Sequence, residues 1–170
     1  MEFEFLENEL DEIADVLKTD VKGLGKKVQK LLQEFKDVQK ELERANSKLA
    51  TFEAGSLFDN AIEINGIKVI LKAFENKEAD SLREIVDKAK DKLKSCVVVL
   101  GTNNDKAVFA VGVTKDLTDK VKAGDLVKEL AKVTGGNGGG RPDFAQAGGK
   151  EGKLVPEALD LAKKILEEKL

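Results

Sequence analysis

A heptad repeat near the front of the chain constrains its architecture most. Val21, Val28, Phe35, Leu42 and Leu49 recur seven residues apart, and Leu24, Leu31, Val38, Ala45 and Phe52 form the companion series. Apolar residues spaced alternately three and four apart lie along one stripe of a helix, the pattern of coiled coils. A helix over residues 21–52 would be about 48 Å long. It cannot bury that stripe on itself. It needs a shorter helix, a folded body or a second copy of the chain. The pattern leaves both self-association through residues 28–52 and an intramolecular hairpin open. Phe35 and Phe52 are bulky for a two-stranded seam. Lys27, Glu34, Glu41 and Lys48 on one flank, with Gly25, Gln39 and Asn46 on the other, set no pairing orientation.

Residues 3–17 form a shorter amphipathic pattern through Leu6, Leu10, Ile13 and Leu17. Its acidic start, from Glu2 to Glu9, suits a helix N-terminus. Asp20 is a good N-cap for the long helix, and Gly23 and Gly25 predict a weak point or hinge in its first turns. Residues 1–20 hold eight acids and one base, so this end would repel a phosphate backbone.

The periodicity changes after Ala54-Gly55-Ser56, which divides the chain into a helical arm, 1–54, and a globular part, 55–170. Residues 61–64 and 67–74 read as strands around Asn65-Gly66, a strong hairpin signal. Residues 78–93 read as a helix, 96–100 and 106–113 as inner strands, 122–133 as a helix, and Pro156 opens a last helix. Strand–helix–strand between Phe74 and Cys96 implies one parallel pair. The expected fold class is mixed α/β: a coiled-coil-like arm, then a roughly four-stranded mixed sheet flanked by helices.

The chemistry is bounded by what is missing. Histidine is absent and Cys96 is the single cysteine. Histidine-based triads and acid–base catalysis are excluded, as are the common zinc sites. Cys96 sits in an apolar run and reads as a buried structural thiol. No carboxylate pair stands out, and Asp116, Asp119 and Asp125 read as turn and cap residues. No metal site is expected. No long apolar segment or signal-peptide pattern is present, so a cytoplasmic setting without a membrane is expected. Net charge is −3, and residues 56–170 carry twenty bases and nineteen acids, so nucleic-acid binding would need a local basic patch.

Residues 134–149 carry seven of the fifteen glycines around Arg141-Pro142-Asp143-Phe144. This stretch reads as an ordered loop in which Gly138, Gly139, Gly140, Gly148 and Gly149 let backbone N–H groups approach a phosphate or sugar. Arg141 adds a phosphate-matching fork, and Asn137 and Gln146 could bond sugar or base edges. Phe144 reads as a core anchor. Lys115, Lys122 and Lys150, with Lys120, would widen a basic patch if the fold gathers them. A passive surface connector is the competing reading.

The stretch GGGRPDFAQAGG at 138–149, with VTKDL at 113–117, VKAGDLV at 121–127 and IEINGIKV at 62–69, resembles the C-terminal region of alanyl-tRNA synthetases. It is similar to the DHHA1-type domain attached to DHH-family phosphoesterases. The resemblance covers residues 55–165, and the arm follows it more loosely. It implies a module that catalyses nothing alone, touches the outer corner of tRNA(Ala) and couples the aminoacylation and editing centres of an alanine–tRNA ligase. It implies that Arg141, Gln146 and the flanking glycines face the substrate. ATP, magnesium and zinc would belong to other domains of the same synthetase, the further partners of this one. The arm would support a homodimer. The alternative is a structural dimerisation module without RNA contact. A phosphoesterase fragment fits least, for want of metal ligands.

Overall fold

The computed structural model describes residues 2–170. They divide into two compact units, one ending at Ala45 and the other spanning Asn46–Leu170. In the first, helix α1 (Glu2–Val16) is followed by a 3-10 turn at Val21–Gly23 and then α2 (Leu24–Phe58). Asp20 caps the turn, its extended backbone letting Oδ1 accept the Gly23 N–H at 2.7 Å. The expected weak point at the two glycines is this turn; Gly25 itself lies inside continuous helix. Both helices keep their apolar stripes at the surface. Leu31 is 38% exposed, Val38 62% and Phe5 64%.

The second unit takes in the last turns of α2. The helix does not stop at Ala54-Gly55-Ser56 but runs on to Phe58, with Ala50, Ala54 and Leu57 buried. Lys77 Nζ lies 2.7 Å from Glu53 Oε1, mostly sheltered from water, and pins this end of α2. Strands β1 (Ile62–Ile64) and β2 (Ile67–Glu75) form the expected hairpin. Asn65 and Gly66 both take positive φ, 50° and 81°, as a two-residue turn between right-twisted strands requires.

Helix α3 (Ala79–Leu93) carries the chain over to β3 (Cys96–Asn103), which pairs parallel with β2, Val69 opposite Val97. Strand β4 (Ala107–Val113) returns antiparallel. After α4 (Ala123–Val133) come β5 (Asn137–Gly140), β6 (Phe144–Gly149) and α5 (Val155–Lys169). The sheet order is β1-β2-β3-β4-β6-β5, six strands rather than four. Both extra strands come from the glycine stretch, whose composition hides a strand because glycine has little intrinsic preference for one.

The sheet is covered on both faces, which is why its inner strands read as unbroken apolar runs. Val97, Val99, Phe109 and Val111 face the layer of α4 and α5. Cys96, Val98, Leu100 and Ala110 face α3 and the end of α2.

Candidate nucleic-acid interface

The glycine stretch is a β-hairpin on the sheet edge beyond β4. Strand β6 pairs with β4, and β5 pairs outside it with Asn137 opposite Gly148 and Gly139 opposite Gln146. Most of its glycines are required by close packing. A Cβ on Gly140 would stand 2.6 Å from Ala145 Cα, and one on Gly124 of α4 2.9 Å from the Gly140 oxygen. A Cβ on Gly136, Gly138 or Gly149 would run into Gly148, Ala147 or Thr134, respectively. Gly139 and Gly148 are different: their nearest neighbours would be 3.8 Å and 3.9 Å away. A Cβ at either position would make only ordinary van der Waals contact, so close packing does not require glycine there.

The tip, Arg141-Pro142-Asp143, is fastened from several elements. Arg141 N–H donates to the Phe144 oxygen at 2.9 Å, and Ala123 N–H at the start of α4 donates to the Pro142 oxygen at 2.9 Å. The Asp143 oxygen accepts twice, from Val113 N–H at 2.9 Å and from Lys90 Nζ at 3.0 Å. A turn with its carbonyls satisfied this way is held in one conformation. It presents the Arg141 side chain to solvent, with Nε 3.3 Å from Asp143 Oδ1.

The fold gathers some of the expected residues and separates others. Lys122 directly precedes α4 and adjoins the Ala123 that holds the tip; it is exposed. Lys115 opens the 3-10 turn Lys115–Leu117 just past β4, whose last residue Val113 bonds Asp143. Arg141, Lys122 and Lys115 therefore belong to one end of the hairpin. Asp116 steadies the Lys115 turn. It accepts from the Ser95 hydroxyl at 2.6 Å, and that bond, followed by one with Thr114, holds its carboxyl below the usual value.

Lys150 and Asn137 lie at the opposite end, about 20 Å away along β6. Lys150 N–H donates to Thr134, and Asn137 Oδ1 accepts the Gly138 N–H at 2.8 Å. Gln146 lies midway, half-buried, and its Nε2 donates to the Ala79 oxygen at 3.2 Å. That donor is spent on α3. Phe144 is half-buried against the α3 layer.

Two cations escaped the sequence reading. Ala79, Arg83, Val86 and Lys90 lie along one face of α3 and meet Gln146, Phe144, Gly112 and Asp143 in turn. Arg83 Cζ stands 5.2 Å from the centre of the Phe144 ring, and Lys90 holds the tip. Only their spacing of seven could have signalled this, and Lys88, Lys92 and Lys94 blur it. Among the described residues no three acidic or cysteine side chains come together to hold a metal ion, and no helix is long and apolar enough to cross a membrane.

Residues 66–168 match the DHHA1 domain family. Alanine–tRNA ligase of Fusobacterium nucleatum is 51% identical over 162 residues, 95% of this chain and 19% of that protein. The Bacillus subtilis enzyme is 47% identical over 152 residues, 88% of this chain and 17% of that protein. The chain thus spans about a fifth of the length of these curated relatives. The crystal structure of the C-Ala domain from Aquifex aeolicus alanyl-tRNA synthetase superposes with a TM-score of 0.59 at 37% identity, over 63% of this chain and 97% of that one. A DHH-domain protein at 14% identity and TM-score 0.52 shares the fold alone. The chain belongs to the DHHA1 domain family, in the form carried by the C-Ala domain of alanyl-tRNA synthetase.

Proposed function

We propose that this domain is the tRNA-holding part of an alanine–tRNA ligase, docking on the outer corner of tRNA(Ala) through the tip of the β5–β6 hairpin. In this reading it acts in the cytoplasm and helps aminoacylation and editing centres elsewhere in the enzyme work on one tRNA. ATP, magnesium and zinc belong to those other domains. The observation that carries it is the exposed Arg141 guanidinium on a turn bonded to α3, α4 and β4, beside Lys122 and Lys115. A pre-ordered cation loses little entropy on gripping a phosphate. The balanced charge of the body argues for modest affinity in isolation, and linkage to the rest of the enzyme makes weak contacts count.

Titration of a labelled tRNA(Ala) transcript tests this. Arg141→Ala and Lys115→Ala are each expected to weaken binding by about three- to tenfold at low salt. Unchanged affinity in both would remove the tip as the contact.

A second reading is a scaffold that joins subunits without touching RNA. The apolar stripe exposed along α2 favours the subunit-joining half of it. The two readings separate on the same titration, because the scaffold binds no tRNA.

A further inference from the structure

Arg141 is partly occupied by its own neighbour, Asp143. Arg83 is not. It is exposed on α3, and among the described residues no carboxylate pairs with it, although Asp80 and Asp87 lie three before and four after it on the same helical side. Its partner is the Phe144 ring, whose centre lies 5.2 Å from Cζ. A guanidinium held over an aromatic face is oriented by the ring and still has N–H groups at its edge to donate.

Phe144 therefore touches two arginines. Its carbonyl oxygen accepts the Arg141 N–H, and its ring carries Arg83. Lys90, seven residues along the same face of α3 from Arg83, donates to the Asp143 oxygen and so positions the tip. We infer that Arg83 is a second RNA-binding guanidinium, and that α3 and the hairpin grip the phosphate backbone together, an arginine from each. This rests on the tRNA-holding reading above and adds to it a helix that lies outside the glycine motif.

The test uses the full chain and a tRNA(Ala) transcript, with affinity measured from about 50 to 200 mM salt. Arg83→Gln keeps a stem over the ring and removes the charge. It is expected to weaken binding about tenfold at the low-salt end. It should also flatten the slope of log affinity against log salt by about 0.7 to 0.9, one phosphate contact. Arg83→Lys should keep the slope. Arg83→Gln combined with Arg141→Ala should flatten it by twice as much. A merely structural Arg83 would change the melting temperature and leave the slope alone, and an unchanged slope in Arg83→Gln overturns the inference. If Arg141→Ala weakens binding and Arg83→Gln does not, the inference fails while the tRNA-holding reading stands. No binding by the wild-type chain sinks both.

Discussion

Cys96 opens β3 with no exposed surface, packed in the layer between the sheet and α3. Burial pushes its thiol from 9.0 up to about 11, with the Lys90 charge pulling it down a little and the Asp116 charge pushing it up. The native state therefore keeps a proton that the unfolded chain loses. Stability attached to this group is present below pH 9 and is lost as pH rises from about 9 to about 11. Thermal melts over that window should show a fall in melting temperature that Cys96→Ala reduces. The chain has no tyrosine, and its lysines are common to both proteins. Equal falls in the two would refute the assignment. The buried, inert thiol was legible from the apolar run alone. The role of Gln146 was not: its donor faces Ala79, a partner 67 residues away, and only the fold brings them together.

The hairpin shows how an element can hide behind its composition. Seven glycines read as a ligand loop, yet four of them admit β5, β6 and Thr134 after α4 into mutual contact, and Gly124 admits α4. Side-chain alternation, the usual sign of a strand, vanishes where there are no side chains. Gly140→Ala places a methyl against the Ala145 Cα and the Phe144 oxygen, both backbone. It is expected to cost about 1–3 kcal/mol. Gly148→Ala meets only the Ala107 oxygen, at an ordinary contact distance of 3.9 Å, and should stay within about 0.5 kcal/mol. Urea unfolding of the two variants checks this, and equal stabilities would mean the hairpin is not packed as described. If Gly148→Ala keeps its stability and weakens tRNA binding, this glycine is a point of ligand approach.

At the scale of the molecule, α2 leaves an apolar stripe exposed. Val28, Phe35, Val38 and Leu42 are all more than 40% exposed on one helix. Contiguous apolar surface is characteristic of surfaces that associate, which motivates a test of the oligomeric state. The chain is expected to dimerise reversibly, and Asn46–Leu170 alone to sediment as a monomer. Val38→Glu in the full chain should shift it toward monomer without lowering the stability of the body. A full chain that stays monomeric at high micromolar concentration would rule the stripe out as a subunit joint.

By itself the amino-acid sequence determined the long helix, the Asn65-Gly66 hairpin, the parallel crossover and the family. These depend on local periodicity, turn chemistry and contiguous motifs, which need no partner to be read. Tertiary structure alone decided that the glycine stretch is the last two strands on one side of the sheet, that Lys150 and Asn137 stand apart from Arg141, and that Arg83 and Lys90 join it. Those facts arise from which distant backbones pack together, and a position's chemistry does not encode its neighbours across the sheet.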